Sequence, residues 1–152
     1  MARWLAKSEP DVYGIDDLER DNSTTWEGVR NFTARNFLRA MQVGDLVLFY
    51  HSNAVPSGVA GVGRVVSTAS PDPTQFDQAS DYYDETAPPD GSRWSWVTVG
   101  FVERFSRVVA LAEIKADPQL EGIEVARKGS RLSVCGVSDA HFDHIVALGR
   151  QS

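Results

Sequence analysis

Apolar and polar positions along this chain recur with two different periods, and the changes between them mark out the elements. Asp45-Leu46-Val47-Leu48-Phe49-Tyr50-His51, residues 58–66 and residues 94–105 are rich in β-branched or aromatic side chains and bounded by turn residues, which predicts strands. A first strand is expected at Arg3-Trp4-Leu5-Ala6-Lys7, and a short late one at Leu132-Ser133-Val134-Cys135. Residues 34–41 change period: Phe37, Leu38 and Met41 share one helical face, and Gly44 follows as a stop. Residues 139–148 place Phe142, Ile145, Val146 and Leu148 on an apolar face behind Ser138, a capping residue type. Shorter helices fit residues 15–20 and 111–116. Strands dominate the centre and helices the ends. The expected fold class is therefore α+β, a small, mostly antiparallel barrel or curled sheet flanked by helices, with residues 1–152 as one domain.

The regular pattern breaks once, over residues 70–92, where Pro71, Pro73, Pro88, Pro89 and Gly91 interrupt a polar stretch that reads as a long surface excursion. No apolar run approaches the ~20 residues that span a bilayer. The first residues, Met1 to Lys7, reach a charge again before a signal-length apolar segment develops. Cys135 is the one cysteine, so no internal disulfide is available. These features predict a soluble intracellular protein, cytoplasmic or, in a eukaryote, nuclear, with no membrane partner. In that setting the acceptor tripeptides Asn22-Ser23-Thr24 and Asn31-Phe32-Thr33 carry no glycan.

Charge argues first against nucleic acid, because 15 Lys and Arg face 21 Asp and Glu for a net of −6. Six of the acids, Asp72, Asp77, Asp81, Asp84, Glu85 and Asp90, lie in the excursion, which holds no base between them; the rest of the chain then balances at fifteen against fifteen. Twelve of the basic residues are Arg, the type suited to bidentate recognition of phosphates and bases. A non-specific DNA coater is excluded; a shaped pocket with an arginine rim is not.

Several familiar patterns fail. Gly58, Gly61 and Gly63 lack the final glycine of a dinucleotide fingerprint, since Val66 stands there, and read as strand glycines at a bulge or close approach. His141 and His144 share a helical face without a third ligand nearby and make a poor zinc site, so neither metal nor cofactor is expected. Lys7, Ser8 and Glu9 offer a base, a nucleophile and a carboxylate, but neighbours in a strand point to opposite faces. They are better suited to lining a polar pocket than to forming a triad.

Two stretches combine the residue types that base recognition needs. Trp26-Glu27-Gly28-Val29-Arg30-Asn31 sets a flat aromatic beside donors, in a region where residues 21–25 carry no apolar side chain. Trp26 reads equally as a core anchor, and Arg30 as a surface charge. Arg35 and Arg39, four apart on the following helix, are candidate phosphate contacts. Phe49-Tyr50-His51-Ser52-Asn53 ends an apolar strand in polar and aromatic residues, a way to line a barrel mouth; His51 suits a structural hydrogen bond as well as a ligand contact.

Taken in order, Trp4-Leu5-Ala6-Lys7-Ser8-Glu9-Pro10, Trp26-Glu27-Gly28-Val29-Arg30-Asn31, Ala34-Arg35-Asn36-Phe37, Gly44-Asp45, Phe49-Tyr50-His51-Ser52 and Arg131-Leu132-Ser133-Val134 resemble the EVE domain family, which includes many small bacterial proteins. The resemblance spans essentially the whole chain. It implies a PUA-like pseudo-barrel of about five or six strands, kinship with YTH and ASCH domains, and a non-catalytic reader of a modified base in DNA or RNA, flipped or single-stranded. Modified cytosine, such as 5-methylcytosine, is the implied ligand. By motif match the pocket draws on Lys7, Ser8 and Glu9, on Trp26, Val29, Arg30 and Asn31, on Tyr50, His51 and Ser52, and on Arg131, Leu132 and Ser133. Trp26 is then expected to stack on or wall the base. Ser8, Asn31 and Ser133 read its edges, and Arg30 and Arg131 hold flanking phosphate. The alternatives are a hydrolase of modified nucleosides using Lys7, Ser8 and Glu9, and a protein-interaction module.

Overall fold

A computed structural model describes residues 1–151. Six strands form one sheet: β1 Arg3–Ser8, β2 Ser23–Thr25, β3 Leu46–His51, β4 Gly58–Pro71, β5 Ser95–Ala110 and β6 Val134–Val137. Their order is β2-β5-β4-β3-β1-β6. Four of the five pairings are antiparallel, and β1 and β3 run parallel. The sheet curls without closing, because β2 and β6 remain its edges. Four helices flank it: α1 Ile15–Asp21, α2 Phe32–Ala40, α3 Leu111–Ala116 and α4 Asp139–Gly149. The α+β class and the mostly antiparallel sheet stand as expected. Among the described residues no helix is long and apolar enough to cross a membrane.

Strand alternation divides the core in two. Trp4 and Ala6 of β1 join Phe49, Val65, Leu38 and Leu18 in one buried cluster, on the side of α1 and α2. Leu5 points the other way and joins Leu48, Val59, Ile114 and Ile145, on the side of α3 and α4. A sheet buried on both faces explains why β3 reads as a continuous apolar run. Ser138 caps α4 as expected, its side chain accepting from the His141 amide. Gly61 belongs to a strand, as expected: a β-carbon there would press on the Glu103 carbonyl and Ile15, and the β4–β5 register shifts between Val59 and Gly61.

The boundaries differ where tertiary pairing outruns local pattern. β4 continues to Pro71, its mostly polar end pairing with residues 95–98 of β5, and β5 continues to Ala110, where Val109 and Ala110 pair with Val59 and Gly58. β2 carries no apolar signal and exists because Ser23–Thr25 pairs with Thr98–Gly100 on the β5 edge. The late strand begins at Val134, and Ser133 joins it to β1 through its carbonyl, which accepts from the Lys7 amide at 2.8 Å. The acidic excursion is not simply a surface loop. Asp72 and Gln75 in it are fully buried, and the Gln75 amide donates to the carbonyls of Asp72 (2.7 Å) and Trp94 (3.2 Å).

Candidate functional site

The parallel strands β1 and β3 end side by side at Ser8 and His51, and the Ser52 amide donates to the Ser8 carbonyl at 3.0 Å. Just beyond these ends lies a cavity of about 590 Å³, a volume suited to a small ligand. Lys7, Ser8, Glu9 and Ser52 line it from the strand ends; Trp26, Glu27, Gly28 and Val29 line it from the segment after β2. Arg131 and Ser133 approach from the stretch before β6, and Asp81 and Tyr82 from the excursion. Segments far apart in sequence thus converge on one hollow.

Trp26 is held by both its backbone and its ring. Its amide extends the β2–β5 ladder to the Val97 carbonyl (2.8 Å), and its indole meets Phe49 edge-on at 5.3 Å. Only 7% of the residue is exposed. It is therefore a core anchor and a cavity wall at once. Ser8 donates its hydroxyl proton to the Tyr13 carbonyl at 2.7 Å, and Glu9 on the rim accepts from Asn53 Nδ2 at 2.7 Å. The Ser133 and Ser52 hydroxyls have no hydrogen-bond partner among the described residues.

The excursion is fastened to this wall through Asp72. Its carboxylate accepts from the Gly28 amide (3.0 Å), the Thr74 amide (2.8 Å), Thr74 Oγ1 (2.6 Å) and Arg30 Nη1 (3.2 Å). Tyr82 lies flat on Gly28, where φ is +80° and a β-carbon would meet the tyrosine ring at 2.6 Å. Glycine at 28 therefore lets the chain turn and lets the ring close down on it. Burial, reinforced by the Asp72 charge and opposed by Arg30, raises the Glu27 carboxyl above its ordinary pKa. At the far end of the excursion, Asp84 accepts from Trp94 Nε1 at 2.8 Å and is held well below the carboxylate range by that bond and by Thr86.

Several residues expected in the pocket have other work. Arg30 is not free to hold phosphate. Its guanidinium donates to the carbonyls of Tyr82 (2.8 and 3.0 Å) and Val29 (3.0 Å), to Asp72 and to Thr74 Oγ1 (3.0 Å), and sits over the rings of Tyr82 and Trp94. Asn31 caps α2, its Oδ1 accepting from the Ala34 amide at 3.0 Å, and it does not line the cavity. Arg35 and Arg39 are likewise committed. Arg35 donates to the Arg93 carbonyl (2.9 Å) and Arg39 to the Ser92 carbonyl (2.5 Å) and Ser95 Oγ (3.0 Å), tying α2 to the end of the excursion rather than presenting donors to phosphate.

His51 takes the structural role. Its Nε2 accepts from the Ile15 amide at 3.1 Å, which places the proton of the neutral ring on Nδ1, and burial lowers its pKa. Tyr50 points to the opposite face of β3, where it is 3% exposed and lines a neighbouring groove. Leu132 packs against the second core cluster. His144, weighed above as a metal ligand, pairs with Asp117 at 2.6 Å. Glu27, Tyr82 and Asp81 were not singled out from the sequence. Glu27 lay within a stretch already marked, whereas nothing local tied the excursion to the pocket.

A family model, the EVE domain, matches residues 2–148. Thymocyte nuclear protein 1 of Danio rerio is 42% identical over 165 residues, covering 97% of this chain and 71% of that protein. A crystal structure of a Pseudomonas syringae protein superposes with a TM-score of 0.94 at 47% identity, covering 97% of this chain and 99% of that one. Human THYN1, crystallised in complex with 5-methylcytosine-containing DNA, superposes with a TM-score of 0.92 at 36% identity and covers 100% of this chain and 99% of its own.

Proposed function

The chain belongs to the EVE domain family, and from that premise we propose that it reads a modified base of nucleic acid, cytosine carrying a 5-methyl or 5-hydroxymethyl group, without altering it. The cavity carries the proposal: a hollow of about 590 Å³ with aromatic walls at Trp26 and Tyr82 and unspent polar groups on its edges. The DNA complex of human THYN1, a relative with the same fold, supports the ligand class. Extracting a base from a duplex costs a few kcal/mol, which stacking and edge hydrogen bonds recover. Trp26 and Tyr82 bound the base plane, and Val29 offers apolar contact to a methyl group. The hydroxyls of Ser133 and Ser52 reach the base edge, while Ser8 can still accept. Lys7 and Arg131 remain for phosphate. A reader of this kind works wherever the nucleic acid is, in cytoplasm or nucleus.

Glu27 completes the polar edge, since a carboxylate is a natural acceptor for the cytosine amino group. Protonation removes the charge and turns one of its two oxygens into a donor, which weakens it as an acceptor. Affinity for the modified oligonucleotide should therefore fall as pH drops through the Glu27 titration, which burial raises above its ordinary value. Glu27→Gln, which cannot titrate, should flatten the profile. A pH profile unchanged by this substitution would remove Glu27 from recognition.

The nucleoside-hydrolase alternative draws less support. The Ser8 proton is held by a carbonyl instead of a base, and Glu9 is bonded to Asn53 on the exposed rim. A flat, dry patch suited to a protein partner is also unlike this polar-edged hollow. Binding to matched short oligonucleotides, plain and singly modified, at two salt concentrations tests the proposal. Preference for one cytosine modification that survives the higher salt supports a base pocket. Equal affinity for plain and modified strands would overturn it.

A further inference from the structure

A second cavity, of about 1190 Å³, adjoins the base pocket and shares Lys7 with it. One continuous stretch of chain walls both: residues 125–130 line this groove, and Arg131 and Ser133 line the pocket. The groove takes Lys7, Lys115, Arg127 and Lys128 as its cations, against the carboxylates Asp117 and Glu121. Asp117 is already engaged, by His144 at 2.6 Å and by the Gln119 amide at 2.9 Å. Arg127 makes only a loose pair with Glu124, at 3.5 Å. Lys115 and Lys128 are exposed and make no hydrogen bond or ion pair with any described residue.

The side formed by the segment after β2 and the excursion has the opposite character: Glu27 and Asp81 line it. A phosphodiester leaving the pocket over that rim would meet like charge, whereas one leaving past Lys7 and Arg131 meets Lys115, Arg127 and Lys128 in the groove. We infer that the nucleic-acid strand carrying the recognised base runs from the pocket across Lys7 and Arg131 into this groove, with its phosphates on Lys115, Arg127 and Lys128. The inference rests on the base-reader proposal and extends it from a single base to a strand with a defined exit.

The test is binding of a single-stranded DNA 9-mer with one central 5-methylcytosine, and of its unmethylated twin, across a salt series. The proteins compared are the wild type, Lys115→Ala, Lys128→Ala and the double variant, with Arg64→Ala on the exposed side of β4 as the control. Each groove substitution should weaken binding about three- to ten-fold at low salt and cut the salt slope by about 0.7, the worth of one phosphate contact on a single strand. The ratio of methylated to unmethylated affinity should stay at the wild-type value, and the control should match the wild type. If the double variant keeps the wild-type slope and affinity while discrimination persists, the strand leaves elsewhere and the groove assignment is wrong. If the wild type ignores the methyl group yet the slope still falls in the groove variants, the pocket reading fails and the groove stands as a backbone site.

Discussion

Asp72→Ala is expected to lower stability by about 3 kcal/mol, toward the lower end of the cost of breaking a buried ion pair. Asp72 is fully buried and accepts from Gly28, Thr74 and Arg30 at once. The substitution strands those donors together with a guanidinium whose side chain is only 22% exposed. That residual exposure lets water reach Arg30, which keeps the cost below that of a fully enclosed pair. For a chain of this size the melting temperature should fall by roughly 6–12 °C. Asp72→Asn keeps an acceptor for Gly28 or Thr74 and should lose about half as much. Binding should suffer beyond the stability loss, because Asp72 fastens the Glu27–Arg30 wall to the excursion that carries Tyr82. Thermal unfolding followed by circular dichroism checks the first effect, and oligonucleotide titration well below the melting point checks the second. A variant melting within 2 °C of the wild type would show that Asp72 does not organise the site.

Trp26→Ala should act on fold and function together. The residue is nearly buried and packs edge-on against Phe49, so truncation leaves a cavity costing about 3–5 kcal/mol. Measured on protein that remains folded, affinity for the modified oligonucleotide should drop by a further 1–3 kcal/mol, roughly the worth of a base–aromatic contact. Trp26→Phe separates the two effects. It keeps an aromatic against Phe49 and recovers most of the stability, but it presents a smaller wall to the base, so binding should fall between that of wild type and alanine. Full stability with unchanged affinity in Trp26→Phe would be acceptable for a core anchor and would remove the indole from recognition.

The two roles weighed for Trp26 turned out not to compete. The ring packs on Phe49 in the core and also lines the hollow, which only the tertiary position of Phe49 decides. Arg30 depends on partners remote in sequence. Beside an aromatic and an asparagine it looks like a donor for phosphate, and apart from the adjacent Val29 carbonyl its acceptors are Asp72, Thr74 and the Tyr82 carbonyl, more than forty residues downstream. Arg35 and Arg39 share this fate: their spacing correctly puts them on one helical face, but that face meets the end of the excursion.

Local pattern determined what depends on neighbours in sequence. The sites of β1, β3, β4 and β5, the four helices with α3 bounded at 111–116, the Ser138 cap and the strand character of Gly61 all follow from side-chain period, capping chemistry and turn residues. Order along the chain also carried the family resemblance, and with it Lys7, Ser8, Glu9, Trp26, Val29, Ser52, Arg131 and Ser133 in one cavity. Tertiary structure alone decided the rest: the three-residue β2, the extension of β4 to Pro71, the turn of Tyr50 into the neighbouring groove, and the recruitment of Glu27, Asp81 and Tyr82 to the site. In each case the deciding partner is remote. A polar strand forms because an edge needs its hydrogen bonds satisfied, and an arginine chooses between phosphate and protein according to which carboxylate the fold buries beside it.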